Sequence, residues 1–283
     1  MLRGKQLWFL DKCGDILPDS LYLRWKYRLL MGQRLNLRNP RGYNEKLQWL
    51  KLNDRNPLYH TLADKLAVKD YVAARLGSEA VIPTLGVWND AREIDFDSLP
   101  EQFVLKCTHD SGSTEVCRDR ALFDFRGAME RLDMSLGSNY YKKDREWAYK
   151  GIKPRIIAEP LIADDPADYK FFCFDGTPEV MFLATERGRS DSETKFDFFD
   201  MDFNHLPFTN GHPNADVLPE KPQKWEEMKA VAAKLSEGIP HVRIDLYEVG
   251  GRIYFGEFTF YHWAGFMPFD PPEWDKKFGE WIK

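Results

Sequence analysis

Hydrophobic residues recur every few positions through the first quarter of the chain, and this pattern predicts helices. Apolar and aromatic positions between residues 18 and 54 indicate two helices, separated at Asn39-Pro40. A third helix is predicted over residues 62–76, because Gly77 is a typical helix stop. The chain is therefore expected to begin with a helical arm.

Short runs rich in β-branched and aromatic residues follow, separated by turn residues. They predict strands at residues 81–87 and 103–106, and helical spacing predicts a helix at 121–136. The polar stretch 137–151 lacks either periodicity and is expected to be mobile.

Three closely spaced strands are predicted next, at residues 155–162, 169–174 and 179–184, with Asp175-Gly176 as the turn between the last two. Their spacing indicates an antiparallel meander. Residues 187–214 look irregular apart from a strand at 196–199, a helix is predicted at 224–237, and a short helix ends the chain. Antiparallel strands with flanking helices predict an α+β fold rather than a doubly wound parallel sheet.

The run VRIDLYEVGGRIYFGEFTF predicts a hairpin with its turn at Gly250-Gly251. Side chains alternate along a strand, which groups Arg243, Asp245 and Tyr247 on one face and Phe255, Glu257 and Thr259 on one face of the second strand. If these faces coincide, Asp245 lies opposite Glu257, and two carboxylates can hold Mg²⁺. A solvated strand face with ordinary charges explains the pattern equally well.

Composition narrows the class of protein. A chain of 283 residues that is 43% hydrophobic can bury a substantial core, and its net charge of -5 gives no general reason to bind nucleic acid. The four cysteines form no CxxC pair, which argues against a disulfide framework and a zinc site and favours reduced thiols in the cytoplasm. No apolar run approaches a membrane span or a signal peptide.

Basic residues crowd the helical arm. They are Arg24, Lys26, Arg28, Arg34, Arg38 and Arg41. This set can form a positive surface for an anionic partner, although a solvated helical face is the commoner explanation of such a pattern.

The common phosphate-binding glycine loops are missing, but FVLKCTHDSGST offers a substitute. A strand presents Lys106 and enters a loop at residues 109–114, whose small residues, among them Ser111, Gly112 and Ser113, would let backbone N–H groups close on a phosphate. An ordinary Ser/Gly loop is the alternative. His109 in this loop and His262 near the hairpin are the two histidines that adjoin predicted site loops.

The strand IIAEPLI carries Glu159 before Pro160, which removes a backbone donor and leaves backbone groups free to meet a planar ligand. Asp168 and Lys170 follow at alternate positions and are expected on one side of their strand. An edge-strand salt bridge explains that pair equally well.

Taken in order, these motifs resemble the ATP-grasp superfamily. The phrases YNEKLQWLK, LADKLAVKDYV, DYKFFCFDG and GEFTF are similar to its TupA-like branch, named for a protein of teichuronopeptide synthesis, and the resemblance spans about residues 42–265. It implies an ATP-grasp fold with two α+β subdomains and an N-terminal helical extension. The implied division is an arm at 1–60, the first part of the core at 61–100, a nucleotide-gripping subdomain at 101–175 with a mobile lid within 112–151, and a metal-binding subdomain at 176–283.

The resemblance also implies roles for individual residues. Lys106 and Lys69 look like the lysines that grip nucleotide phosphates, Glu159 and the Leu161 backbone like the adenine hinge, and Asp168 like the partner of the ribose hydroxyls, with Lys170 beside it. Asp245 and Glu257 look like ligands of Mg²⁺, with Arg243 next to them for the transferred phosphoryl group. Thr259 stands where relatives often have Asn. Arg187, beside the polar stretch GRSDSET, is a candidate to hold an anionic substrate or phosphate, although an ordinary surface charge is the commoner explanation.

The implied activity is an ATP- and Mg²⁺-dependent, ADP-forming carboxylate-amine ligase. The branch suggests that it attaches an amino acid or amine to a uronic acid of a bacterial capsular or cell-wall polysaccharide or its precursor. A glycosyltransferase-like protein and a catalytically silent ATP-binding scaffold remain alternatives. A homodimer is common among such relatives, and the expected location is the cytoplasm.

Overall fold

Five helices open the chain, and they are shorter than the sequence pattern suggests. In the computed structural model, which describes residues 2–186 and 193–283, they are α1 (Leu2–Cys13), α2 (Asp19–Met31), α3 (Tyr43–Asn53), α4 (Leu58–Ala63) and α5 (Ala67–Leu76). The helix predicted over residues 62–76 is wrong at its start. Asp64 ends α4, and its Oδ1 accepts hydrogen bonds from the N–H groups of Leu66 and Ala67, which begins a new helix there.

A small antiparallel sheet follows the arm. Its strands are β1 (Gly86–Trp88), β2 (Phe103–Cys107), β3 (Glu115–Cys117) and β4 (Ile156–Pro160), in the order β1-β4-β2-β3. Helix α6 (Phe125–Leu136) packs on β2 and begins four residues later than predicted, because the Asp124 side chain accepts the N–H of Gly127 and caps it there. Of the strand predicted at 81–87, only its end enters the sheet.

A larger antiparallel sheet forms the C-terminal half. Its strands are β5 (Asp168–Phe174), β6 (Thr177–Thr185), β7 (Lys195–Phe199) and β8 (His205–Leu206), joined by β10 (Val242–Val249) and β11 (Arg252–Thr259), while β9 (Thr209–Asn210) and β12 (Phe269–Asp270) pair separately. The order is β11-β10-β5-β6-β7-β8, and every strand pair is antiparallel. Helix α8 (Trp225–Ser236) packs on β5 and β6, and α9 (Glu273–Trp281) packs on α3. The α+β class is confirmed.

The predicted meander is correct for β5 and β6 but wrong for β4, which belongs to the small sheet. Strand β5 lies between β10 and β6 and is buried along its whole length, so it is an interior strand and not an edge. The implied boundary after residue 175 falls at the turn between β5 and β6, two strands that pair in one sheet.

The hairpin has the predicted register at its charged end and a bulge beside it. Asp245 pairs with Glu257, but Leu246 pairs with Phe255, which leaves Gly256 as the extra residue. We had expected Phe255 on the same side as Glu257 and Thr259. Because of the bulge, Phe255 faces the core instead. A Cβ at Gly256 would lie 3.0 Å from the Asp245 carbonyl oxygen and from the Tyr247 ring, so a side chain there would be crowded.

The stretch 137–151 is more ordered than its sequence predicts. It contains α7 (Tyr140–Asp144) and a short 3-10 turn at Trp147–Tyr149, and we call residues 140–149 the capping segment. Contacts that attach it to the arm include Lys26 Nζ to Asp144 Oδ1 at 2.9 Å, Lys51 Nζ to the Asp144 carbonyl at 2.9 Å, and Arg145 Nη2 to the Gly14 carbonyl at 2.7 Å. The role of this stretch as a lid stays a prediction.

These contacts also bury Lys26, which removes it from the basic surface predicted on the arm, whereas Arg24, Arg28, Arg34, Arg38 and Arg41 are exposed. Of the helices in the described part of the chain, none has both the length and the apolar character needed to cross a bilayer.

Candidate functional site

A cavity of about 440 Å³ lies between the large sheet and the capping segment. The sheet side, which we call the strand wall, contributes Lys170, Phe182, Phe196, Arg243, Glu257 and Thr259. The capping segment contributes Tyr140, Lys143, Asp144, Glu146 and Tyr149, and Ser111 and residues 261–264 complete the lining. Cations, carboxylates and aromatic rings thus converge on one space, which is typical of a ligand site.

Arg243 is the most firmly held residue of the strand wall. Its Nε and Nη2 donate to the two oxygens of Asp245, each at 2.7 Å, and Nη2 also lies 3.3 Å from Glu257 Oε1. Because β10 and β11 place Asp245 opposite Glu257, one guanidinium contacts both carboxylates. The predicted grouping of these three side chains is therefore present, with a cation at its centre.

His262 orients Arg243 from the other side. Its Nδ1 lies 2.8 Å from Arg243 Nη1, and its Nε2 lies 2.9 Å from Asn210 Oδ1. Burial, assisted by the charge of Arg243, lowers the pKa of His262 well below its ordinary value, so the ring is neutral. Since arginine can only donate, Nδ1 accepts and Nε2–H donates to Asn210. His262 is thus a positioning residue. His109, the other histidine near a predicted loop, has its Nε2 3.3 Å from the Ser138 carbonyl oxygen.

Asp245 is fully buried among cations. Lys170 Nζ contacts Asp245 Oδ2 and lies 2.5 Å from Asp168 Oδ2. Burial alone would raise the pKa of Asp245, but Arg243 and Lys170 outweigh it and hold that pKa well below its usual range. The predicted proximity of Asp168 and Lys170 is correct, and their ion pair lies in the sheet interior beside Asp245.

Glu257 is the accessible carboxylate of the strand wall. Its side chain is 37% exposed, and Thr259 Oγ1 lies 3.2 Å from its Oε1. Both oxygens of Asp245 already accept from Arg243. Across residues 2–186 and 193–283, no three His, Cys, Asp or Glu side chains come together as a metal cage. The oxygen donors therefore fit an ion such as Mg²⁺ that takes its other ligands from phosphates and water.

A second charged cluster lies at the small sheet. Lys69 Nζ and Lys106 Nζ each lie 2.6 Å from one oxygen of Glu159, and Lys69 also donates to the Ile82 carbonyl and to Thr84 Oγ1, each at 2.8 Å. Burial would raise the pKa of Glu159, but the two lysines lower it. The structure thus unites the predicted phosphate lysines with the predicted hinge glutamate. Leu161, which comes after Pro160 on the same stretch of chain, is half-buried.

The predicted phosphate loop is held together internally. Ser113 Oγ donates to Asp110 Oδ1 at 2.6 Å and accepts the Cys107 N–H at 3.0 Å, while Gly112 has a φ of 102°. Ser111 reaches the cavity. Lys65 donates to the Asp110 carbonyl, and its burial lowers its pKa although the charges of Glu257 and Asp110 oppose this. Lys65 therefore lies between the loop and the strand wall.

The family to which this chain belongs follows from a match to a family model. A family model described as TupA-like ATPgrasp matches residues 45–283. The chain belongs to the TupA-like ATP-grasp family. The ATP-grasp α+β fold expected from the sequence is confirmed with it, and residues 1–44 precede the matched region.

Solved ATP-grasp structures are distantly similar to this TupA-like protein. The ligase PsnB with a minimal precursor has 10% identity and a TM-score of 0.42, covering 73% of this chain and 54% of its own. D-alanine–D-alanine ligase from Bacillus anthracis with ATP has 11% identity and a TM-score of 0.41, covering 70% and 53%. The enzyme from Helicobacter pylori has 15% identity and a TM-score of 0.41, covering 78% and 61%. The chain spans about half the length of the first two. No curated protein matches it.

Sequence reasoning placed a lid within residues 112–151 but identified none of the side chains that this segment contributes to the cavity. None of Tyr140, Asp144, Glu146 or Tyr149 was expected near the hairpin, because nothing local in a polar, aperiodic stretch signals contact with a distant strand pair. Arg187, a predicted substrate residue, lies outside the described residues.

Proposed function

We propose that this TupA-like ATP-grasp protein is an ATP-dependent, ADP-forming ligase that joins a carboxylate to an amine through an acyl phosphate. The observation that carries the proposal is the guanidinium of Arg243, fixed by Asp245, Glu257 and His262 at the wall of the cavity. Fixed cations of this kind stabilise charge that develops on a transferring phosphoryl group. The family match supports ATP as the phosphoryl donor.

The nucleotide is assigned to the small sheet and the loop that faces the cavity. Lys69 and Lys106 would exchange their contacts with Glu159 for the nucleotide phosphates, and Glu159 with the Leu161 backbone would face the adenine. The N–H groups of residues 111–113 would close on a phosphate. Asp168 would meet the ribose hydroxyls, with Lys170 between it and Asp245.

Glu257 and Asp245, with Thr259 beside them, would hold Mg²⁺. When bound, this ion neutralises phosphate charge. Because Asp245 is already engaged by Arg243 and Lys170, Glu257 is proposed to supply the more accessible oxygen.

The reaction has two steps. A carboxylate oxygen attacks the γ-phosphorus, the bond to the β-phosphate oxygen breaks, and ADP leaves. The amine nitrogen then attacks the acyl carbon, inorganic phosphate leaves, and the nitrogen gives up one proton. Arg243 and Lys170 stabilise the phosphoryl charge, and the capping segment keeps water from the acyl phosphate.

For the substrates we propose a uronic acid of a bacterial surface polysaccharide or its precursor and an amino acid or amine. Support for this part comes from the likeness to the TupA branch and from aromatic residues such as Tyr149 and Trp263 in the lining, which suit a sugar ring. A cytoplasmic location and a homodimer are proposed on the same likeness.

Two measurements test this function. ATP with Mg²⁺ should raise the melting temperature, by the equivalent of about 2.7 kcal/mol at a concentration of 100 Kd. A screen of uronic acids crossed with amino acids should then reveal ADP release that needs a carboxylate.

Variants connect the activity to the site. Glu257→Gln and Lys106→Ala should each reduce ADP release on the order of 100-fold, whereas Glu248→Gln in the same hairpin should not. No thermal shift would favour the glycosyltransferase alternative, and a shift without ADP release would favour the silent scaffold.

A further inference from the structure

Glu146 is a buried acid of the capping segment. Its exposure is 6%, yet it lines the cavity. Within residues 2–186 and 193–283, its carboxylate has neither a hydrogen bond nor an ion pair. A buried carboxylate left unpaired is costly to the fold, and such groups are therefore candidates for a functional role.

Lys51, the buried lysine whose charge acts most strongly on Glu146, makes neither a hydrogen bond nor an ion pair with it. Lys51 Nζ donates to Gln48 Oε1 at 3.0 Å, to the Asp144 carbonyl at 2.9 Å and to the Ala264 carbonyl at 2.8 Å. An ammonium group has three donors, and all three are used. The Glu146 carboxylate can therefore still accept a hydrogen bond from a group in the cavity that it lines.

The surroundings of Glu146 suit a cationic group. The rings of Tyr140 and Tyr149 pack edge to face with centroids 4.7 Å apart, and both line the cavity. Burial raises the pKa of both hydroxyls, and the charge of Glu146 contributes to each. An acid flanked by aromatic rings is a site that attracts ammonium ions.

The acid is also held in position. Its neighbour Arg145 is 4% exposed and donates to the Gly14 carbonyl, and Asp144 on the other side pairs with Lys26. The helical arm thus fixes both residues next to Glu146, across the cavity from Arg243 and Glu257.

We propose that Glu146 binds the ammonium group of the incoming amine substrate and takes up the proton that this nitrogen must lose. An ammonium ion has no lone pair, so it cannot attack the acyl carbon until one proton leaves. This first proton passes to Glu146, the nitrogen–carbon bond forms, phosphate departs with the electron pair of the broken acyl–oxygen bond, and the second proton of the nitrogen leaves with that phosphate. This role rests on the proposed ligase function and assigns the amine to this wall of its cavity.

The ionisation of Glu146 agrees with this role. Burial raises its pKa from 4.5 to about 8, so a fraction of the molecules carries the ionised carboxylate at neutral pH, and this ionised form is the one that binds the ammonium group and takes its proton. A base works best when its pKa is near the working pH. The charged and titratable groups that face it are Lys51 from α3, Lys26 from α2, Asp144 and Lys143 from its own segment, and the hydroxyls of Tyr140, Tyr149 and Tyr261.

A matched pair of small amines tests the role. Methylamine is mostly protonated at neutral pH and needs a base, whereas hydroxylamine, of nearly the same size, is mostly unprotonated. With ATP, Mg²⁺ and glucuronic or galacturonic acid, Glu146→Gln should lower the ratio of methylamide to hydroxamate by about 100-fold, the contribution typical of a general base. An unchanged ratio would overturn the role of Glu146.

A second variant separates chemistry from packing. Glu146→Asp keeps the carboxylate but shortens the side chain, while Glu146→Gln keeps the shape and loses the base. The proposal predicts more methylamide from the Asp variant than from the Gln variant, and the reverse order would show that Glu146 only fills space. If the wild-type protein binds ATP but forms no hydroxamate, the ligase function itself fails, and the assignment of Glu146 fails with it.

Discussion

Two buried acids lie at opposite sides of one cavity, and their environments are opposite. Asp245 lies behind Arg243 of the strand wall, accepts two hydrogen bonds from it and contacts Lys170, and these cations hold its pKa well below the usual range. Glu146 on the capping segment has no such partner among the described residues, and burial raises its pKa to about 8.

The difference indicates that Asp245 is a fixed charge that holds its neighbours in place, whereas Glu146 is a group that can react. An acid that stays ionised fixes its cations in place, whereas an acid poised near neutral pH can exchange a proton with a substrate. Active sites often set two carboxyl groups apart in this way. In this protein we assign Asp245 to hold Arg243 for phosphoryl transfer and Glu146 to serve the amine.

The largest expected effect is on stability at the strand wall. Asp245→Ala should destabilise the protein by about 3–5 kcal/mol, because it leaves Arg243 and Lys170 buried without their shared anion. Urea unfolding at neutral pH measures this difference. Glu146→Gln, the matched change on the other wall, should cause no comparable loss, and equal losses would erase the contrast between the two acids.

The pH dependence of stability should report on Glu146, the second of the two buried acids. Between pH 4.5 and about 8 the native state keeps the Glu146 proton that the unfolded chain has lost, so stability should fall as pH rises through this window. The slope from this one group is at most about 1.4 kcal/mol per pH unit. Urea midpoints across the window should flatten in Glu146→Gln but not in Glu130→Gln, an exposed control on α6. A wild-type curve that rises throughout would contradict the assignment.

His262 tests whether the orientation of Arg243 matters for chemistry. His262→Phe removes the acceptor for Arg243 Nη1 and should lower kcat for ADP release about tenfold, a loss typical of orienting residues, with little change in KM for ATP. His262→Gln offers an amide oxygen in its place and should keep more activity. Equal activity in both variants would mean that His262 only packs.

The bulge should give the smallest effect. Gly256→Ala places a Cβ 3.0 Å from the Asp245 carbonyl oxygen, and we expect a loss of about 1 kcal/mol in unfolding free energy. Gly4→Ala in α1, where a Cβ meets nothing within 4 Å, should be neutral or stabilising. A neutral Gly256→Ala would show that the strand pair adjusts easily beside its charged residues.

The strand wall could be predicted from sequence, and the capping segment could not. The Gly-Gly turn and the alternation of side chains determine which residues face each other across a hairpin, so the pairing of Asp245 with Glu257 follows from local rules. The bulge was missed although a glycine inside a strand, Gly256, is its usual signal.

The position of the capping segment depends on contacts that the local sequence pattern does not predict. Lys26 and Lys51 reach it from helices roughly a hundred residues earlier in the chain, and both lie in a segment whose basic residues suggested a solvated face. The same limitation affected β4, which has a strand pattern but no local indication of the sheet it joins.

The most direct test of the acyl phosphate follows an isotopically labelled oxygen from the carboxylate substrate. With both carboxylate oxygens labelled, attack of the carboxylate on the γ-phosphorus followed by attack of the amine on the acyl carbon must leave one labelled oxygen in each inorganic phosphate released, which mass spectrometry of the phosphate detects. The account predicts this transfer in the wild-type protein, at a rate that falls with ADP release in Glu257→Gln. Amide formation with unlabelled phosphate, or with AMP and pyrophosphate as products, would contradict it.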